Sequence, residues 1–124
     1  MNKWKLALYG YIQATNTHNF ENVKEYVSNH AIYYFSDKSC ISHKEIQLYF
    51  ENSWNTIKNE VYSIKNEKWT LSEDMAFCIY NYKYEGFHNE IFIEGSGRAT
   101  NIFVLENGSV KLVHEHLSGD VEEV

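Results

Sequence analysis

The residues best suited to chemistry cluster in the last part of the chain, where residues 97–119 read GRATNIFVLENGSVKLVHEHLSG. His114 and His116 are two apart, so on a strand both imidazoles share one face, a spacing that some zinc sites use. No third ligand stands nearby in sequence, and the expectation is that no metal is bound. Arg98 carries a planar guanidinium that could clamp a carboxylate bidentately, or pair with Glu94 or with an acid of a neighbouring chain. Glu115 lies between the two histidines and therefore faces the other way. Enclosed among aromatic rings, its carboxyl pKa would rise by desolvation, and the group could serve as a general base.

Those side chains are positioned by a hairpin whose turn is Glu106-Asn107-Gly108-Ser109. A two-residue Asn107-Gly108 loop pairs Glu106 with Ser109 and sets Asn101 opposite His114. A three-residue loop with Gly108 left-handed pairs Leu105 with Ser109, sets Arg98 opposite His116 and Thr100 opposite His114, and leaves Asn101, Phe103, Glu115 and Leu117 on the other face. One residue of slip exchanges the faces. Turn chemistry alone leans slightly to the two-residue loop.

Upstream, Trp4, Leu8, Tyr11, Ile12 and Thr15 recur at helical spacing over residues 3–16. Asn19 is a suitable N-cap for a short second helix carrying Phe20, Val23, Tyr26 and Val27. Ala31 to Phe35 is dense in β-formers. Ser42-x-x-Glu45 is a capping box, and behind it Ile46, Phe50, Trp54 and Ile57 form the inner face of a third helix. Long strands are expected over 59–72, 75–84, 91–105 and 110–118, with a turn near Gly86 to Asn89. Gly95 and Gly97 suggest a bulge or bend in the third of these. Helix, helix, strand, helix, then four antiparallel strands is an α+β plan, with helices on one face of a strongly curved sheet.

Bulk properties bound the function. The chain has 124 residues, a length expected for one domain spanning 1–124. Its net charge of −6 and lack of any Lys/Arg run argue against a nucleic-acid partner. There is no membrane-span pattern and no signal-peptide core. Two distant cysteines, Cys40 and Cys78, suggest neither a disulfide framework nor a zinc site, and the location expected is cytoplasmic. Aromatics are 16% of the chain, enough to line a cavity for a flat or apolar ligand as well as to fill a core.

Three motifs occur in order: Tyr49-Phe50-Glu51-Asn52-Ser53-Trp54, Gly97-Arg98-x-Thr100, and Asn107-Gly108 followed by His114-Glu115-His116-Leu117-Ser118-Gly119. Together they resemble the NTF2-like superfamily of cone-shaped α+β proteins, which includes SnoaL-like cyclases and ketosteroid isomerases. The resemblance is greatest to the association domain of calcium/calmodulin-dependent protein kinase II. It implies that the positions of Asn101 and Leu117 line one pocket, which favours the three-residue loop. It also implies that Arg98, Thr100, His114 and His116 lie on an outer, dimer-forming face, the imidazoles hydrogen-bonded there.

The pocket expected on this basis takes Tyr33, Ile46, Phe50 and Trp54 from the first half of the chain. Tyr80, Tyr82, Asn101, Phe103, Glu115 and Leu117 come from the second half. Where the association domain carries pocket arginines, Tyr82, Asn101 and Leu117 stand here, and Ile46 replaces a pocket histidine. Capture of a carboxylate in that manner is therefore not implied. The leading expectation is a homodimeric, cofactor-free domain that binds a small molecule or serves assembly. The alternative is an isomerase, cyclase or hydrolase with Glu115 as base and Tyr82 or Asn101 polarising the substrate.

Overall fold

A computed structural model of the chain describes residues 2–120. Three helices, α1 (Lys3–Thr15), α2 (Phe20–Lys24) and α3 (His43–Thr56), accompany six strands: β1 (Val27–Tyr34), β2 (Ser39–Cys40), β3 (Lys58–Leu71), β4 (Met75–His88), β5 (Ile91–Glu106) and β6 (Ser109–Gly119). The strands form one curved, unclosed sheet in the order β2-β1-β6-β5-β4-β3. All neighbours are antiparallel except β1 and β6, which run parallel.

Local chemistry accounts for the helices. Asn2 caps α1 by accepting from Lys5 N at 2.9 Å, and Trp4, Leu8 and Tyr11 are buried along one stripe. Asn19 caps α2. The helix is one turn long because Val27, expected on its apolar stripe, starts β1 instead and pairs with Leu112. Ser42 Oγ accepts from Glu45 N at 3.2 Å, and Glu45 Oε1 accepts in return from Ile41 N at 3.3 Å, one residue ahead of the usual capping-box partner. Ile46, Phe50 and Trp54 are the buried face of α3. Residues 36–39 turn the chain back, so that Ser39-Cys40 pairs with Tyr34-Tyr33 as β2.

Two expectations about the sheet need correction. The ladder between β4 and β5 is unbroken from Met75↔Val104 to His88↔Ile91, so Gly95 and Gly97 mark no bulge. They are instead where cross-strand rings lie flat on the backbone. A Cβ on Gly95 would stand 2.5 Å from the Tyr84 ring, and one on Gly97 would stand 2.7 Å from the Tyr82 ring and would overlap the Ser118 carbonyl. The turn between these strands is Asn89-Glu90, with Gly86 inside β4. The irregularities fall on β3, on β6 and on β1 between Val27 and Ile32. Register shifts on β3 lie at Asn59 and Asn66, both with positive φ (54° and 61°). Asn tolerates that conformation.

The second correction concerns the hairpin. Asn107 (φ 52°) and Gly108 (φ 80°) form a two-residue loop, and Glu106 pairs with Ser109. Both central residues are left-handed, as a primed turn that matches strand twist requires. The three-residue loop does not form. Between Phe103↔Leu112 and Ile102↔His114 the register then slips by one residue at Val113. Beyond that bulge Asn101 pairs with Glu115, Thr100 with His116, and Arg98 with Ser118. Asn101 and Glu115 do share the inner face, by another route than expected, and Leu112 joins them there.

Candidate functional site

The curved sheet and α3 enclose a cavity of about 620 Å³ that reaches solvent past Asp37 and Asp120. Glu115 forms part of its wall and is 4% exposed. Its carboxylate is held by two donors: Asn101 Nδ2 to Oε1 at 2.9 Å and Tyr11 Oη to Oε1 at 3.0 Å. Each donor is itself fixed. Tyr80 Oη donates to Asn101 Oδ1 at 2.8 Å, and the Tyr33 and Tyr11 hydroxyls meet at 2.8 Å. Tyr11 gives its proton to Glu115, so Tyr33 is the donor in that contact. All of this convergence is on Oε1; Oε2 accepts from no protein donor among the described residues.

Burial pushes the Glu115 carboxyl up to about 7, although the bonds from Asn101 and Tyr11 pull it down. Desolvation outweighs the two donors. The surrounding phenols of Tyr11, Tyr33 and Tyr80 are held well above their ordinary range, first by burial and also by the neighbouring carboxylate, so they remain donors.

A second, half-buried carboxyl borders the cavity. Glu60 is raised to about 7 by burial. The shift at Asn59 turns it inward beside Tyr62. Tyr62 stacks on Tyr82 with centroids 5.6 Å apart, and its hydroxyl is buried beside that of Tyr80. At the mouth, Tyr49 Oη donates to Asp37 Oδ1 at 2.7 Å, and Ser96 Oγ to Asp120 Oδ2 at 2.7 Å.

Of the pocket residues expected from sequence, Phe50, Trp54, Tyr82, Glu115 and Leu117 border the cavity. Tyr33, Ile46, Tyr80, Asn101 and Phe103 are buried but do not border it. Tyr33, Tyr80 and Asn101 act one layer back, through hydrogen bonds, while Ile46 and Phe103 pack the core. Sequence reading missed Tyr11 as a partner of Glu115, although a tyrosine in an otherwise apolar helical stripe signals a buried hydroxyl that needs a mate. Glu60 and Tyr62 left no such signal, because their direction depends on the left-handed Asn59.

On the opposite face of the sheet, Arg98 and His116 are exposed and Thr100 and His114 half-buried. Around them lie Ile32, Tyr34, Phe77 and Ile79, each about 40% exposed. His114 Nδ1 lies 2.7 Å from the Ile32 carbonyl, and the edge of each imidazole meets the Tyr34 ring. Glu94 is engaged by Lys83 at 3.4 Å and not by Arg98.

A curved α+β cone with an aromatic, acid-bearing cavity is the class of architecture that the fold and the site define. Residues 5–122 match the sequence profile of the SnoaL-like domain, and the chain belongs to that family within the NTF2-like superfamily. Solved structures carry the same fold. A candidate calcium/calmodulin-dependent protein kinase II association domain from Xanthomonas campestris superposes with a TM-score of 0.83 at 19% identity, over 95% of this chain and 86% of that one. An NTF2-like superfamily protein from Salmonella enterica gives 0.86 at 14% identity, over 97% and 92%. A candidate ketosteroid isomerase from Shewanella frigidimarina gives 0.73 at 17%, over 90% and 91%. No curated protein sequence matches the chain significantly. No helix among the described residues is long and apolar enough to cross a membrane.

Proposed function

We propose that the chain is a homodimeric small-molecule enzyme in which Glu115 moves a proton on a ligand held in the cone. One observation carries the reading: a buried carboxyl near neutrality borders a preformed cavity with one oxygen anchored and the other unengaged. A base with its pKa near working pH combines a useful ionised fraction with useful proton affinity. Tyr82, which borders the cavity, is suited to the role expected of it, polarising a substrate oxygen. Asn101 is spent on holding Glu115. The likeness to a candidate isomerase agrees with proton transfer but supports the fold alone.

The test uses a flat neutral ketone, 2-tetralone, and follows deuterium exchange next to its carbonyl. Wild-type protein should accelerate exchange, with a rate that rises with pH through about 7. Glu115→Gln should return the rate to the buffer background, a loss of at least about a hundredfold. Equal rates in the two proteins would remove Glu115 from the chemistry. A second reading, ligand binding without turnover, draws on the closed hydrogen-bond array around Oε1, which would equally serve a purely structural carboxyl.

Dimerisation through the sheet is supported by the apolar patch of Ile32, Tyr34, Phe77 and Ile79 around the two histidines. Sedimentation should give a dimer at micromolar concentration; a stable monomer would contradict it. A cytoplasmic location agrees with Cys40 and Cys78, both buried and unpaired.

A further inference from the structure

We propose that the ligand of this cavity is an organic cation: an ammonium group carried on a flat or apolar body. The inference deepens the proposed function by naming the ligand class, and it rests on the same cavity. Four of the residues lining the cavity are carboxylic acids and none is Lys, Arg or His. The acids come from separate places in the fold: Asp37 after β1, Glu60 at the start of β3, Glu115 within β6 and Asp120 after it. They surround the space instead of forming one surface cluster.

Two bases outside the wall are engaged elsewhere. His18 stacks on Trp54 and its Nε2 lies 2.7 Å from the Glu60 carbonyl oxygen. Lys83 pairs with Glu85 and Glu94. No side chain of the cavity wall therefore neutralises the acids, and that task falls to the occupant.

The walls suit a cation independently of the acids. Eight aromatic rings border the space, among them Phe50, Trp54, Tyr62 and Tyr82. Ring faces carry negative electrostatic potential and attract an ammonium group, more strongly once water is excluded. One acceptor is left over, the second oxygen of Glu115, and an ammonium N–H fits it. A carboxylate ligand would meet four acids and no counter-charge. The net charge of −6 draws cations toward the mouth as well.

Three probes of nearly one shape separate the charge classes: 2-phenylethylammonium, 2-phenylethanol and phenylacetate. Binding to the full chain is measured by calorimetry at pH 8 and low salt. The ammonium should bind about tenfold more tightly than the alcohol, with phenylacetate weakest. Replacing the exposed mouth acids, Asp37→Asn with Asp120→Asn, should shrink the ammonium's advantage and leave the alcohol's affinity unchanged.

Equal or tighter binding of the alcohol or phenylacetate would overturn the inference, as would no measurable ammonium binding. The proposed proton transfer is judged separately. Loss of charge preference with exchange still dependent on Glu115 defeats the cation inference alone. Retained preference with exchange unaffected by Glu115→Gln defeats the catalytic reading alone.

Discussion

Asn101 and Glu115 are direct cross-strand partners in the β5–β6 ladder, and the amide of one donates to the carboxylate of the other at 2.9 Å. Neither residue is free to relax, because Tyr80 holds the Asn101 carbonyl oxygen at 2.8 Å. Asn101→Leu should therefore cost about 1–3 kcal/mol, since it strands the Tyr80 hydroxyl and one carboxylate contact in the interior. It should also raise the Glu115 carboxyl further, because a bond favouring the charged form is lost. Urea unfolding and a carboxyl titration read the two effects.

Glu115 also gives stability a pH dependence of known sign. Its folded pKa, about 7, lies above its ordinary value of 4.5, so the folded state binds the extra proton. Its contribution is complete below pH 4.5 and is lost as pH rises through about 7. The loss amounts to about 3 kcal/mol. Glu115→Gln should flatten this slope and unfold at higher urea than wild type at pH 8. Parallel pH profiles for the two proteins would show that Glu115 is not desolvated as described.

Gly97 is required for close approach. A Cβ there overlaps the Ser118 carbonyl and presses on the Tyr82 ring, and neither backbone nor stacked ring yields cheaply. Gly97→Ala should destabilise by about 1–3 kcal/mol. Thermal unfolding checks it, with Ser96→Ala on the exposed neighbour as a comparison that should change little.

Gly108 makes a contrasting case. Nothing lies within 4 Å of a Cβ placed there, so only the left-handed backbone (φ 80°) opposes a side chain. Gly108→Ala should cost about 1 kcal/mol, and Gly108→Asn less, because Asn tolerates this conformation. The difference should appear in the unfolding midpoint, with the cavity unaffected.

Most of the architecture was legible in local signals. The capping box at Ser42 and Glu45 and the spacing of Ile46, Phe50 and Trp54 placed α3, and the Asn107-Gly108 dipeptide placed the hairpin. What escaped reading was every single-residue slip. Asn59, Asn66 and Val113 each change which way the following side chains face, and where a strand slips is set by its pairing with a neighbour more than by local preference. The face of Glu115 was anticipated for a reason that did not operate: the extra residue sits in a bulge at Val113, not in the turn. Glu60 stayed hidden because its direction depends on the slip at Asn59. The stripe marks Tyr11 as a buried hydroxyl in need of a mate, but helical periodicity says nothing of which residue that is, and the mate lies 104 positions away.

The ionisation of Glu115 itself tests the catalytic account most directly. Carbon-detected magnetic resonance of protein labelled at the glutamate carboxyl, assigned by comparison with Glu115→Gln, follows that one group through pH. A midpoint near 7, moving upward in Tyr11→Phe and Asn101→Leu, is the expected result. A midpoint in the ordinary carboxylate range, unmoved by either substitution, would contradict it, because Glu115 would then be a solvated acid with no special capacity to take a proton.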